Sequence, residues 1–275
     1  MKKYLLFLII LLSLLGYMLN RSFNRVEVFR VGVECDYPPN NWEESRPTDS
    51  NVPLANKKGF YAEGYDIQLA KLVAEHMGAE LEVKKIAWQD LIPALQRKEI
   101  DAIFSGMLNT EERRKVIAFS DVYEVEEIEY TLVVNKDSKY EKARKLTDFT
   151  GAVLIAQKGT NLDAAIDQIP TAIHLAPVET VSEMLEKLVG HEVDGSVMNF
   201  DTARAYASQY PNLRIIRFPK GHGFVFGFTG ICAGVRKNDT KLLSEINHVL
   251  GGLSKRDRLH IMDRTISRQW RNINL

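Results

Sequence analysis

Ile100-Asp101-Ala102-Ile103-Phe104-Ser105-Gly106-Met107-Leu108-Asn109-Thr110-Glu111-Glu112-Arg113 holds a strand, a turn and the opening of a helix. The apolar run Ile100–Phe104 reads as a buried strand that ends at Ser105-Gly106. Thr110, followed by two acids and Arg113, reads as a helix start. A strand-to-helix turn leaves backbone N–H groups open at the helix N-terminus, a place where anions are held. Arg113 stands one turn inside that helix, where its planar fork can clamp a carboxylate through two parallel bonds. Taken alone, it reads more readily as an ordinary surface arginine.

The same alternation extends in both directions. Upstream, Val28–Val33 is a strand, Asp36–Lys58 is Pro- and Asn-rich and reads as a long loop, and Gly64 leads into a helix. That helix carries Ile67, Ala70, Ala74 and Met77 at helical spacing and stops at Gly78. Leu81–Val83 is a short strand, and Trp88–Gln96 a helix with Pro93 near its first turn. Downstream, Glu129–Asn135 is β-rich, and Ala152–Ala156 is a strand ending at Lys158-Gly159-Thr160. Thr160 with Asp163, and Thr180 with Glu183, mark helix starts. Val193–Met198 is a strand, Asp201–Ser208 a helix, and two helices follow Val235. Strands alternating with helices predict an α/β protein with parallel sheets covered on both faces. Gln157-Lys158-Gly159-Thr160-Asn161 repeats the strand-to-helix turn of the opening stretch. Ligands sit beyond the carboxyl ends of strands in such sheets, so two such loops are expected to face each other across a cleft.

A chain of 275 residues, 45% hydrophobic, is expected to form two domains. Thirty-six basic residues balance thirty-six acidic ones, so no basic excess steers it to nucleic acid. Cys35 and Cys232 allow at most one bridge, and two free buried thiols fit equally well. No phosphate loop, dinucleotide fingerprint or serine elbow is present, and the six histidines never fall at metal-ligand spacing. No cofactor and no metal are expected. Met1-Lys2-Lys3 and the apolar run Tyr4–Leu19 read as a secretion signal or a retained membrane anchor within residues 1–25. Either places the remainder outside the cytoplasm, secreted, periplasmic or tethered to the outer face of the membrane.

Gly64-Tyr65-Asp66-Ile67-Gln68-Leu69-Ala70-Lys71-Leu72-Val73 resembles the signature of the family 3 extracellular solute-binding proteins, the polar amino-acid receptors of ABC importers. Gln68 departs from the acid usual there. The resemblance continues through Trp88-x-x-Leu91-Ile92-Pro93-Ala94-Leu95, Ile100–Met107, Thr110-x-x-Arg113, Phe119-Ser120-Asp121, Gln157–Thr160 and Val193-Asp194-Gly195. It implies a two-lobed fold of the type II periplasmic-binding-protein kind, each lobe a sheet flanked by helices, with a two-strand hinge. The first lobe is then residues 26–126 plus 233–275, and the second 127–232. By the same resemblance Tyr37 packs on the ligand and Trp88 forms a second wall, with a core role for Trp88 as the alternative. Ser105 and Gly106, with Met107 and Leu108 in the same loop, meet the ligand's polar head. Arg113 takes its α-carboxylate, and Thr160, with Gly159, Asn161 and Gln157, closes on it from the second lobe.

Two departures stand out. Leu108 occupies a position usually held by Ser or Thr, and Asn199 one usually held by an Asp that pairs with the α-ammonium. Either Asp201, or a first-lobe acid such as Glu34, is expected to replace that partner, or the ligand is not an ordinary α-amino acid. Glu34 and Asp36 beside Tyr37 favour a cationic side chain. The implied partners are a small-molecule ligand (an amino acid or related carboxylated amine), the permease subunits of an ABC transporter, and the membrane through the N-terminal segment. The alternatives are an enzyme similar to the cyclohexadienyl dehydratases on the same scaffold, and an extracellular sensory domain.

Overall fold

The computed structural model describes residues 27–124, 128–226 and 230–273. The apolar N-terminal run lies outside the described residues, and no described helix is long and apolar enough to cross a membrane. The first part of the chain forms β1 (Val28–Val33), β2 (Asp36–Tyr37), β3 (Asn41–Glu44), β4 (Val52–Pro53), β5 (Tyr61–Glu63), α1 (Tyr65–Met77), β6 (Glu80–Lys85), α2 (Leu91–Gln96), β7 (Ala102–Ile103), α3 (Glu111–Arg114) and β8 (Ala118–Phe119). The middle forms β9 (Tyr130–Asn135), β10 (Val153–Ile155), α4 (Asn161–Ala165), β11 (Ile173–His174), α5 (Val181–Val189), β12 (Gly195–Asn199), α6 (Phe200–Ala207) and β13 (Leu213–Ile216). The chain then returns to the first sheet as β14 (Gly234–Val235) and ends in α7 (Thr240–Gly252) and α8 (Lys255–Ile273).

Two five-stranded sheets result, one per lobe, in the orders β6-β1-β7-β14-β8 and β11-β10-β12-β9-β13. Both faces of each sheet are covered, as the strand–helix alternation predicts. Phe29 and Val31 of β1 pack with Leu69, Val73, Ile246 and Leu250 of α1 and α7. Ile103 of β7 packs with Leu91 and Leu95 of α2 on the other face. In β9, Leu132 and Val134 face one core while Val133 faces the other. Each such apolar side chain removed from water contributes roughly 1.5–3 kcal/mol. The sheets are mixed rather than parallel. β14 runs antiparallel to β7 and β8, and β9 antiparallel to β12 and β13. A chain that leaves one lobe and later returns enters the first sheet from the opposite end, and local patterning carries no trace of that direction.

The Asp36–Lys58 segment also departs from its reading as a loop. It contributes β2, β3 and β4, which with β5 form a four-stranded antiparallel sheet in the order β2-β3-β5-β4. Its strands are only two to four residues long, and Trp42 pairs with Glu63 across more than twenty residues of sequence. α1 begins against this segment, Tyr65 and Asp66 donating their N–H groups to the carbonyls of Pro39 and Asn40 at 3.1 and 2.9 Å. Gly64, at φ 134°, lets the backbone pass so close to Asn40 that any side chain there would collide with it.

Two stretches connect the lobes, one leading into β9 and one leading back to β14. The expected boundary at 126/127 falls on residues outside the description. Near the second boundary, Cys232 donates its N–H to the Met107 carbonyl at 2.9 Å, and Ile231 packs into the first lobe's core. Cys35 and Cys232 are both free and buried. Burial pushes the Cys232 thiol up to about 12 and the Cys35 thiol higher still, so neither presents a reactive thiolate.

Candidate ligand-binding cleft

The two strand-to-helix turns meet between the lobes. Thr110 and Thr160 cap their helices, each side-chain oxygen accepting the backbone N–H three residues on, at 3.3 Å. These caps fix the angle at which Arg113 and Asn161 leave the backbone. The two turns bound a cavity between the lobes. From the first lobe it is lined by Glu34, Tyr37, Trp88, Ser105, Gly106, Leu108 and Arg113. The second lobe contributes Tyr130, Gln157, Thr160, Asn161, Leu162, Val181, Met184, Met198, Asn199 and Thr202.

Arg113 bridges the lobes. Its Nη1 donates to the Leu108 carbonyl at 2.9 Å and its Nη2 to the Gly159 carbonyl at 3.1 Å. The Trp88 ring lies 5.0 Å from the guanidinium carbon, and Trp88 Nε1 donates to the same Gly159 carbonyl at 3.1 Å. Trp88 therefore both packs on the core and forms a cavity wall. Burial pulls the Arg113 guanidinium down to about 10. Only two of the five N–H donors of the fork are spent on these carbonyls.

Glu34 is the one acid among the described lining residues. Burial, its largest influence, pushes its carboxyl up to about 8, while a hydrogen bond donated by Gln157 Nε2 from the other lobe pulls the opposite way. Gln157 also donates to the Glu179 carbonyl at 3.1 Å. The Glu34 N–H donates to Ser105 Oγ at 3.0 Å, and the Thr160 hydroxyl donates to the Gln157 carbonyl at 2.7 Å.

Asn199 is spent on the protein. Its carbonyl oxygen accepts the Thr202 N–H at 2.8 Å, capping α6, and its Nδ2 donates to the Tyr37 hydroxyl across the lobes. Asp201 does not reach the cavity. It is exposed and pairs with Arg204 at 3.3 Å, because two residues past Asn199 it lies on the far side of the helix, while Thr202, three residues past, returns to the inner face and donates to the Pro38 carbonyl at 2.8 Å. Met107 is likewise absent from the lining, buried in the core beneath the turn, and Gly159 takes part through its carbonyl. The residues the sequence reading missed are Tyr130, Leu162, Val181, Met184, Met198 and Thr202. Val181 and Met184 sit on an apolar helix stripe that reads as core, and only Tyr130, a polar-tipped residue at a strand end, carried a sequence signal.

Asp66 supports the turn from below. Its buried carboxylate accepts Tyr123 Oη–H at 2.5 Å, Asn41 Nδ2–H at 2.8 Å and the Gly106 N–H. Burial outweighs these donors and raises it to about 6. Gly106 has φ 61°, and a Cβ there would lie 2.6 Å from the Tyr37 ring. Gly106→Ala is expected to displace Tyr37 and destabilise the protein by about 1–3 kcal/mol. Thermal unfolding measures this, and an unchanged melting temperature contradicts the close approach.

Residues 29–270 match the model of the bacterial extracellular solute-binding proteins, family 3. The chain is 26% identical over 202 residues to the arginine-binding extracellular protein ArtP of Bacillus subtilis, covering 72% of this chain and 75% of that protein. It is 31% identical over 199 residues to the ABC transporter glutamine-binding protein GlnH of Bacillus subtilis, covering 70% of this chain and 68% of that one. The arginine-bound form of truncated ArgBP from T. maritima superposes with a TM-score of 0.67 at 30% identity, covering 82% of this chain and 96% of that structure. With two five-stranded sheets, one in each lobe, and a cleft between them, the chain belongs to family 3 of the bacterial extracellular solute-binding proteins.

Proposed function

We propose that this protein is the extracytoplasmic receptor of an ABC importer and closes its lobes on a polar amino acid. The observation that carries the reading is Arg113, a partly buried cation in the cavity wall that keeps donors for a carboxylate while touching both lobes. Placing a carboxylate against it compensates the cost of its burial. Glu34 takes the role of counter-charge for the ligand's positive group, since Asn199 is committed to Tyr37 and Thr202, and Asp201 faces away. Tyr37 and Trp88 supply flat faces for the ligand's body. The names of relatives, arginine-binding and glutamine-binding, support a polar amino acid as cargo. The permease subunits of the importer are the partner, and the N-terminal apolar run either exports the chain or tethers it to the outer face of the membrane. Lobe closure is a hinge motion about the two connecting stretches.

Thermal-shift screening of the amino acids and polyamines tests this. A cognate ligand at a hundred times its Kd adds about 2.7 kcal/mol to the folded state and raises the melting temperature by several degrees. No shift with any of them would remove the reading. Binding is expected without turnover of prephenate or arogenate.

A further inference from the structure

Two buried polar atoms in the cavity wall have no hydrogen-bond partner among the described residues, the Tyr130 hydroxyl and the Asn161 Nδ2. Both belong to the second lobe, Tyr130 as the first residue of β9 and Asn161 as the first of α4. The Asn161 amide lies near enough to Tyr130 to oppose the upward shift that burial imposes on its phenol, yet the two do not reach hydrogen-bonding geometry. Tyr130 is held in place by Phe226, whose ring centroid is 3.9 Å from its own. A buried polar group without a partner costs more than the hydrogen bond it would form, so a wall presenting two favours a guest that satisfies them.

We propose that Tyr130 and Asn161 form a specificity subsite that reads an uncharged oxygen acceptor on the ligand, separate from the carboxylate held by Arg113. The chemistry of the pair sets the class. An amide N–H₂ can only donate, and a phenol beside it donates its O–H to the same oxygen. A carbonyl or hydroxyl oxygen therefore satisfies both, whereas an ammonium or guanidinium can donate to the phenol oxygen but leaves the amide N–H without an acceptor. A second carboxylate is disfavoured as well. Arg113 is the only basic residue among the described lining, and the charged group acting on Tyr130 is the acid Glu124. The ligand is thus an amino acid whose side chain bears a carboxamide or hydroxyl oxygen. This rests on the receptor reading and narrows it.

Calorimetry with matched pairs tests the subsite: glutamine against norleucine, and threonine against 2-aminobutyrate. The first pair places the oxygen at the end of a long side chain, the second beside the α-carbon, so the pair that responds locates it. Wild type is expected to favour the oxygen-bearing member of one pair at least tenfold, because a site built around buried donors rejects analogues lacking the acceptor. Tyr130→Phe and Asn161→Ala, checked for folding by melting temperature, are expected to bring that ratio below threefold. A ratio near one in wild type, or a preference that survives both substitutions, overturns the subsite and leaves the receptor reading standing. If wild type binds none of the four and responds to nothing in the thermal-shift screen, the receptor reading itself falls and the subsite with it.

Discussion

Arg113→Ala is expected to weaken ligand binding by about thirtyfold to several thousandfold. Removing one partner of a desolvated charge pair costs about 2–5 kcal/mol, and the ligand's carboxylate would remain in the cleft without its counter-ion. The ligand-free protein should lose far less. Arg113 is partly buried, which pulls its guanidinium down to about 10, and the substitution relieves that cost while giving up two bonds to carbonyls. Arg113→Lys keeps the charge but not the fork, and should fall between the two. Titration calorimetry on the three proteins, with the amino acid that gives the largest thermal shift, measures the series. Wild-type affinity in Arg113→Ala would mean that the guanidinium braces the lobes and holds nothing else.

The second large effect is on pH. In the ligand-free closed cleft the Glu34 carboxyl titrates near 8, so below that it carries a proton. A positively charged group pairs only with the ionised form, and binding must expel the proton. Affinity should therefore rise with pH, approaching tenfold per unit below 8, and level off above it. The sign for folding is opposite. An acid whose folded pKa stands above its ordinary 4.5 stabilises the folded state while protonated. That contribution declines as pH climbs from about 4.5 to about 8. Asp66, raised to about 6, acts in the same direction. The ligand-free melting temperature should thus decline across this range while the ligand-induced increment grows. Glu34→Gln should abolish the pH dependence of binding and lower affinity at pH 8. A flat affinity profile in wild type would remove Glu34 from the role of counter-charge.

What was legible in the sequence was local. Thr110, Thr160 and Thr180 each cap a helix three residues ahead of the N–H they accept, and all three starts stand where the residues indicate. The two turns carrying Arg113 and Thr160 could be paired across a cleft because each follows a buried strand. Features set by distant partners were illegible. The small sheet over Asp36–Glu63 rests on strands too short to show alternation, and it assembles only when β5 arrives. The outward turn of Asp201 and inward turn of Thr202 depend on where α6 begins, a matter of one residue. Tyr130 faces the cavity because β9 begins there, and the β-rich pattern of its neighbours marks a strand without marking its rim.

The lobes grip each other through two groups of contacts beside the cavity. In one, the Gly159 carbonyl receives Trp88 and Arg113. In the other, Thr202 reaches the Pro38 carbonyl, and Tyr206 and Ser182 reach the Asp36 carboxylate, Tyr206 at 2.7 Å. A guest held between the lobes leaves only when they part, so both sets of bonds must break first. Each guest adds its own contacts across the closed gap, so guests of higher affinity should stay longer while entering at similar rates.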